Sequence, residues 1–286
     1  MIKILGNSFL MGSKNSDSFK VDNSQTIKSV KVESFFIDET PVTNLEFQKF
    51  IQDTSYITEA EKYNASFVFT ALLDEKTKQK SNPVDFDKLW YYVQGANWKN
   101  PEGPHSDIKT RMNHPVVHVS RNDAIEYCNW SGKRLLTEAE WEYAARGGLE
   151  NQKFPWGNEL LLNEEWNCNI WQGEFPFGNT KEDGFLGTAP VKTFKPNNYG
   201  LYQMVGNVWE WCSNPKDVDY DYFNQQNSHN IYNANKKQSN NFFAIRGGSF
   251  LCHDKFCKRY KVYSRNSNSA ESTSSNLSFR CAKSIT

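Results

Sequence analysis

Apolar stretches in this 286-residue chain are short, and asparagine, glycine and proline interrupt them throughout. No stretch approaches the roughly 20 apolar residues that a membrane-spanning helix requires, so no membrane partner is predicted. Aromatic residues make up 15% of the chain and supply large side chains for burial. The pattern predicts an irregular α+β fold, low in regular secondary structure, with short strands and long loops in a single domain over residues 1–286.

Three helices are predicted from capping boxes, in which a Ser or Thr and an acidic residue three positions later satisfy each other's backbone N–H groups. The pairs are Thr43 with Glu46, Ser120 with Asp123, and Thr137 with Glu140. Gly132 and Gly147 are well placed to end the second and third helices.

Two segments are predicted to be accessory. Residues 54–88 are polar and uneven, and residues 217–241 are rich in Asn and Gln and lack helical or strand periodicity. The second segment favours a long surface insertion or a partly disordered loop. It would act as a lid or a substrate-contacting loop, and a solvated insertion without function is an equal alternative.

Charge is balanced, with 33 basic and 33 acidic side chains and a formal net charge of +0. A chain without a strong global field is not expected to bind nucleic acid or an anionic membrane. Residues 1–13 contain no apolar segment followed by a small-residue cleavage site, which favours a cytoplasmic location. A secreted or periplasmic location stays an alternative.

Residues 246–265 place Cys252 and Cys257 five positions apart behind a Gly-Gly-Ser turn. Aromatic residues alternate with them, which is typical of a strand or a tight loop packed against a core. Neighbouring Lys and Arg side chains favour the thiolate, which is the nucleophilic and metal-binding form. The spacing alone leaves three interpretations: a reactive or metal-binding pair, a small structural disulfide, or two inert buried thiols.

The chain resembles the formylglycine-generating enzyme family along most of its length. The matching motifs are FLMGS from Phe9, FIDETPVTNLEF from Phe36, GANWKNPEGP from Gly95, the stretch from His114 to Gly148, FPWGNE from Phe154, GLYQMVGNVWEW from Gly200, RGGSFLCHDKFCKRYKVYSR from Arg246 and NLSFRCA from Asn276. The resemblance implies a C-type-lectin-like fold and the oxidation of a sulfatase cysteine to formylglycine. Catalytic members carry a pair like Cys252 and Cys257, which other branches generally lack.

The resemblance also implies a copper site. In the family, the counterparts of Cys252 and Cys257 bind Cu(I), for which soft thiolates are suitable ligands, and the substrate cysteine joins as a third thiolate. Ser249 matches a position at the oxygen-binding or substrate-thiol side of the pocket, and Trp209 matches an aromatic wall of that pocket. The implied partners are O₂, a thiol reductant and an unfolded or nascent sulfatase polypeptide carrying Cys-x-Pro-x-Arg. We expect the enzyme to be a monomer.

Two sets of positions match the Ca²⁺ sites of the family. The first set is Asn169, Ile170, Asp183 and Phe185, and the second set is Gln203, Gly206, Val208 and Glu210. Oxygen ligands from an irregular loop suit this hard ion. Gln203 stands where the family usually has Asn, although its longer side chain could still present an amide oxygen.

The remaining cysteines are assigned partly through the resemblance. The family bridges the counterparts of Cys128 and Cys281, which implies a disulfide worth about 4–5 kcal/mol because it closes a long loop. Cys168 and Cys212 match no family role, and we expect them to be small buried apolar groups.

Two alternatives to a copper-dependent oxidase stay open. A non-catalytic peptide-binding protein on the same fold would bind peptide without consuming O₂. An iron-dependent sulfoxide synthase would need a set of histidine ligands, and the five histidines show no convincing ligand spacing.

Overall fold

Short helices and strands alternate along the chain in a computed structural model that describes residues 1–14, 19–236 and 241–285. The α-helices are α1 Asn44–Thr54, α2 Glu59–Tyr63, α3 Glu75–Gln79, α4 Arg121–Ser131, α5 Glu138–Arg146, α6 Tyr220–Gln225 and α7 Ser228–Asn235. The strands are β1 Ile2–Ile4, β2 Ser8–Met11, β3 Lys28–Lys31, β4 Phe35–Ile37, β5 Ala65–Phe69, β6 Asn82–Pro83, β7 Trp90–Gln94, β8 Arg134–Leu135, β9 Leu161–Leu162, β10 Glu165–Trp166, β11 Gly173–Glu174, β12 Gly178–Asn179, β13 Trp209–Pro215, β14 Phe242–Arg246, β15 Arg265–Ser269, β16 Leu277–Ser278 and β17 Cys281–Ser284. The predicted irregular α+β fold is confirmed.

Small sheets organise the strands. One sheet has the order β1-β4-β17-β8, so the last strand of the chain lies between strands from its beginning and its middle. A second sheet has the order β15-β14-β13-β16, and a third has the order β5-β7-β6. The second sheet matters for function because β14 leads directly into the segment that carries Cys252 and Cys257. No helix in the described part of the chain is long and apolar enough to cross a membrane.

The three predicted capping boxes all form, and they begin α1, α4 and α5. Gly132 and Gly147 follow α4 and α5 in the left-handed region, with φ of 66° and 56°. Each predicted helix therefore begins and ends where local chemistry places its boundaries.

The prediction for residues 217–241 is corrected. This segment contains α6 and α7, which contact β3 and β13, and Phe223 and Ile231 are buried. The apolar positions are divided between two short helices around Gln226, whose φ of −129° interrupts the helical path, so no single period extends over the segment. Residues 237–240 lie outside the described part of the chain.

Residues 54–88 are likewise more than an accessory segment. They include β5, in which Val68 and Phe69 are buried. Phe69 packs edge-on against Trp171, with ring centroids 5.9 Å apart, and the backbone of Phe67 bonds to the segment around Ser274. This strand therefore joins the core of the second half of the chain.

A buried cluster of charges connects α5 to the second sheet. The guanidinium of Arg246 is fully buried and lies 2.7 Å from the carboxylate of Glu142 and 3.3 Å from that of Glu138. Arg265 also binds Glu138, with 2.7 Å between Nη2 and Oε2. Burial alone would raise the pKa of Glu138, but the charge of Arg265 and its hydrogen bond outweigh burial and lower it. The cluster fixes the end of β14 against one face of α5.

Removing Arg246 should destabilise the protein strongly. We expect Arg246→Met to lower the free energy of unfolding by about 3–5 kcal/mol, because it leaves buried carboxylates short of a partner. The matched control is Lys49→Met, which removes an exposed pair with Asp53 and should cost less than about 1 kcal/mol. Urea denaturation measures both variants, and equal losses would contradict a special role for Arg246.

Candidate active site

A Gly-Gly turn begins the segment that carries the two cysteines. Gly247 and Gly248 have φ of 96° and 74°, in the region that favours glycine. A Cβ on Gly248 would lie 2.9 Å from Cα of Tyr260 and 3.0 Å from the carbonyl oxygen of Arg259. The backbone therefore approaches itself closely there, and residues 248–260 form a loop that is closed at its base.

The loop brings Cys252 and Cys257 together as free thiols, with 2.8 Å between their sulfur atoms. The N–H of Cys252 donates to the carbonyl of Ser249 at 2.9 Å, and the N–H of Cys257 donates to that of His253 at 2.8 Å. Cys252 is buried, whereas Cys257 is partly exposed. Two soft donors side by side, one of them accessible, fit a low-coordinate Cu(I) site open to a third sulfur.

The two thiols differ in acidity. The hydrogen bond from the Cys252 thiol and the nearby Arg259 lower the pKa of Cys257 to about 7, whereas burial raises the pKa of Cys252 well above its usual value. Arg259 is itself held by Asp22, whose carboxylate lies 2.8 Å from Nη2, and it lies over the ring of Phe19. Cys257 is therefore the more acidic thiol of the metal-free pair.

Ser249 belongs to this loop, and Trp209 is connected to it through Asn276, whose carbonyl oxygen accepts from the N–H of Trp209 at 2.9 Å. The hydroxyl oxygen of Ser249 accepts a hydrogen bond from Nδ2 of Asn276 at 3.0 Å, and both residues are buried. Trp209 begins β13 and is paired in register with Leu277 of β16, next to Asn276. Sequence reasoning missed Asn276, although it begins the NLSFRCA motif, because its partner lies 27 positions away.

A cleft of about 470 Å³ extends from Trp209 and Asn276. Its lining consists of uncharged side chains from β5, β7, the second sheet and the segment after β15: Phe67, Trp90, Trp209, Ile245, Asn266, Ser267, Asn268, Ser272, Thr273, Ser274, Asn276 and Leu277. The volume falls in the range of small-ligand and peptide pockets. Since β15 is the outer strand of its sheet, part of its backbone faces away from β14 and is available to an extended chain.

A chain of hydrogen bonds supports the wall of this cleft. Ser66 donates to Oγ1 of Thr273 at 2.7 Å, and Nδ1 of His118 lies 2.8 Å from Oγ of Ser66. His118 is fully buried, and burial lowers its pKa to about 4, so the ring is neutral at pH 7. This histidine therefore holds the wall in place and carries no charge.

The first predicted calcium set has the chemistry of a cation site. Oδ1 of Asn169 and Oε1 of Gln172 are buried and accept no hydrogen bond. Close by, the carboxylate of Asp183 accepts from the N–H groups of Ile170 and Phe185 at 3.1 and 2.9 Å, and from the Gln172 amide at 2.8 Å. Buried oxygen atoms without a donor are what a hard cation satisfies, so this set fits Ca²⁺. Gln172 was not predicted.

The second predicted calcium set differs, because its side-chain oxygens already have protein donors. Oε1 of Gln203 accepts from Nδ2 of Asn207. The carboxylate of Glu210 accepts from Nε1 of Trp141 and from Arg280, with distances of 2.8 Å. Gly206 and Val208 lie between them on the same buried segment. A cation could bind here only by replacing these hydrogen bonds, so the arrangement does not fit a resident cation.

The other cysteines occupy the core. Cys128 and Cys281 are free thiols with 3.6 Å between their sulfur atoms, so the implied disulfide stays a prediction. Cys168 and Cys212 are fully buried, and burial raises their pKa values, which confirms the expectation for them.

Among residues 1–14, 19–236 and 241–285, no three side chains of His, Cys, Asp or Glu lie close enough together to hold a metal ion. Four histidines have other hydrogen-bond partners: His114 bonds to Thr188, His118 to Ser66 and His229 to Asn233, and Nδ1 of His253 accepts from the N–H of Lys255. The ligand set of an iron-dependent sulfoxide synthase is therefore not assembled in this part of the chain.

Comparisons with known proteins agree with this geometry. A family model described as a sulfatase-modifying factor enzyme 1-like domain matches residues 1–285. A Mus musculus protein named formylglycine-generating enzyme is 47% identical over 283 residues, covering 99% of this chain and 74% of that protein. A Bos taurus protein named inactive C-alpha-formylglycine-generating enzyme 2 is 41% identical over 286 residues, covering 99% and 87%.

Among solved structures, that of PvdO from Pseudomonas aeruginosa superposes with a TM-score of 0.67. The two chains are 22% identical, and the match covers 99% of this chain and 93% of PvdO. At this identity the likeness concerns the fold alone.

Alkylation should distinguish the two thiols of the pair. In metal-free protein, the rate of Cys257 alkylation by iodoacetamide should rise with pH around a midpoint of about 7, because the thiolate reacts. Cys252→Ala should raise this midpoint, since it removes the main cause of the lowered pKa. Buried Cys168 and Cys212 serve as internal controls and should stay unmodified. Peptide mapping by mass spectrometry measures each site, and a midpoint near the usual value of about 8.5 would contradict the assignment.

Proposed function

This chain belongs to the family of sulfatase-modifying factor enzyme 1-like domains, and we propose that it converts a cysteine of a sulfatase polypeptide to formylglycine at the Cys252–Cys257 pair. The observation that carries this proposal is the pair of free thiols in contact, one buried and one partly exposed, on a loop whose Ser249 bonds to Asn276 in the lining of an uncharged cleft. Relatives named formylglycine-generating enzymes support the same reaction.

Copper and O₂ complete the proposed chemistry. Cys252 and Cys257 would hold Cu(I), and the metal supplies activation of O₂ for removal of a hydrogen from the substrate Cβ. In the balanced reaction, the CH₂–SH group, O₂, two electrons and two protons give an aldehyde, H₂S and water. Two molecules of a thiol reductant supply the electrons and protons as they form a disulfide.

The protein's own residues position the substrate and exclude water. Because Ser249 accepts its hydrogen bond from Asn276, its hydroxyl proton is free to donate to a group at the sulfur end of the cleft. The indole of Trp209 forms part of the cleft lining and limits the access of water to that end. The substrate thiol approaches from the side of Cys257, the exposed member of the pair.

We further propose that the first calcium set holds one structural Ca²⁺. The ion would fix the segment that contains Asn169 and Gln172, where the two unpartnered oxygens lie. Between them, the N–H of Trp171 donates to the carbonyl oxygen of Cys252 at 3.0 Å. Calcium would therefore hold the backbone of a copper ligand without contacting copper.

A non-catalytic peptide-binding role is the second candidate. It is favoured by one observation, the 41% identity to a protein named inactive C-alpha-formylglycine-generating enzyme 2. Such a protein would bind the same polypeptide in the cleft without changing its mass.

A mass measurement separates these two functions. A synthetic peptide with Cys-x-Pro-x-Arg, incubated with Cu(I)-loaded protein, O₂ and a thiol reductant, should lose about 18 Da as the thiol becomes an aldehyde. Cys252→Ser and Cys257→Ser should each abolish the conversion, whereas Cys168→Ala, which removes a buried thiol that does not line the cleft, should retain it. Stoichiometric copper and tight peptide binding without any mass change would support the non-catalytic role.

Calcium content tests the difference between the two oxygen sets. After gel filtration in micromolar calcium, the wild type should retain about one Ca²⁺ per chain, because only the first set has a buried side-chain oxygen without a donor. Asp183→Asn should lose this ion and lower the melting temperature. Gln203→Asn should gain a second ion, since the shorter side chain cannot keep both of the hydrogen bonds that Gln203 makes with Pro190 and Asn207. Elemental analysis gives the stoichiometry, and two ions on the wild type would contradict the interpretation.

A further inference from the structure

Arg259 lies close to the cysteine pair, two positions after Cys257 on the same closed loop. After the hydrogen bond from Cys252, the groups that lower the pKa of Cys257 are the backbone N–H, the charge and the side chain of Arg259. Burial raises the pKa of Cys252, and the charge of Arg259 acts in the opposite direction there. One guanidinium therefore acts on both sulfur atoms.

A buried carboxylate fixes this guanidinium. Oδ1 of Asp22 lies 3.0 Å from Nε of Arg259 and 2.8 Å from Nη2, and Oδ2 of Asp22 lies 3.0 Å from Nε. Only 4% of the Asp22 side chain and 19% of the Arg259 side chain are exposed. The ring of Phe19 covers the guanidinium, with 4.4 Å between the ring centroid and Cζ. Several charge-assisted hydrogen bonds and a covering ring leave the cation little freedom to turn away from the cysteines.

The two partners of this ion pair come from distant parts of the chain. Asp22 ends a short 3₁₀ turn, Lys20–Asp22, and its N–H donates to the carbonyl oxygen of Phe19 at 3.0 Å. Arg259 lies 237 positions later, at the base of the cysteine loop where the backbone passes close to Gly248. The side chain and the backbone of Arg259 are therefore both held by protein atoms before any metal binds.

Binding of Cu(I) to the pair would create a negative charge at this place. Two thiols that bind one Cu⁺ release two protons, so the complex of Cys252, Cys257 and the metal carries a net charge of about −1. A third thiolate would bring the net charge to about −2 by the same count. A charge in a partly buried site is costly unless an opposite charge lies nearby.

We propose that Arg259 is the fixed counter-cation of this metal–thiolate complex, an inference that rests on the copper site of the proposed function. Asp22 is then a positioning residue, which acts on the metal site through Arg259. The ion pair would connect copper affinity to the packing of residues 19–22 against the cysteine loop. Because a third thiolate adds negative charge, Arg259 would also favour binding of the substrate thiol.

Copper affinity without substrate tests this proposal. In anaerobic competition with a chromophoric Cu(I) chelator, Arg259→Gln should bind Cu(I) about tenfold more weakly than the wild type, because a nearby positive charge is lost. Arg259→Lys keeps the charge and should stay within about threefold of the wild type. The matched control is Lys255→Gln, which removes an exposed cation two positions before Cys257 and should change the affinity less than about twofold. Equal losses in Arg259→Gln and Arg259→Lys would contradict a role of the charge.

A double variant separates the charge from the fold. Arg259→Gln alone leaves the buried Asp22 carboxylate without its partner, whereas Asp22→Asn combined with Arg259→Gln replaces the ion pair with a neutral pair of similar shape. The double variant should keep the circular dichroism spectrum of the wild type and still bind Cu(I) at least about threefold more weakly, since the cation is absent. A double variant that binds Cu(I) as tightly as the wild type would overturn the proposal, because Arg259 would then act on the fold alone.

Peptide conversion by the same proteins distinguishes this proposal from the proposed function. If the wild type binds one Cu(I) but converts no Cys-x-Pro-x-Arg peptide, and both Arg259→Gln and the double variant bind Cu(I) more weakly, the role of Arg259 stands and the oxidase function falls. If the wild type converts the peptide and both variants bind Cu(I) as tightly as the wild type, the role of Arg259 is overturned and the oxidase function stands. A wild type that binds no Cu(I) overturns both.

Discussion

The ion pairs of the Arg246 guanidinium are the contacts on which the site most depends. It is fully buried, it pairs with Glu142 and Glu138 on α5, and it donates to the carbonyl oxygen of Val262 at 2.7 Å. Arg246 ends β14 directly before Gly247, so one side chain fixes α5, the end of a strand and the start of the cysteine loop. A buried ion pair adds little net stability compared with apolar packing. A chain conformation that buried Arg246 without its carboxylate partners would, however, leave an unpaired charge and would be strongly destabilised.

This anchoring explains why one side of the loop is buried and the other side is exposed. Its base is closed by the approach of Gly248 to Tyr260, whereas its tip, from Asp254 to Phe256, is exposed. Cys252 lies at the buried side, where the N–H of Trp171 also holds its carbonyl oxygen, and Cys257 lies at the open side. In the proposed site, Cys252 would be the fixed ligand and the partly exposed Cys257 would leave room for a substrate thiol.

Sequence reasoning succeeded where local chemistry decides the structure. The capping boxes beginning with Thr43, Ser120 and Thr137 involve residues only three positions apart, so the three helices could be predicted. Helices α6 and α7 were missed because they have only six and eight residues, about two turns each, which is too short for a clear period. The hydrogen bond between Ser66 and Thr273, which supports the wall of the cleft, was not predicted for another reason. The two residues are 207 positions apart, and no local pattern reveals such a bond.

The same limit applies to the two predicted calcium sets, which differ in whether an amide oxygen of the set has a donor. An amide chain joins them: Nδ2 of Asn169 donates to Oδ1 of Asn207 at 3.2 Å, and Nδ2 of Asn207 donates to Gln203. The last amide of this chain satisfies Oε1 of Gln203 in the second set, while Oδ1 of Asn169 in the first set is left without a donor. One side of the chain is therefore complete with protein atoms alone, and the other side leaves a buried oxygen without a donor, which is costly and which the proposed cation would satisfy.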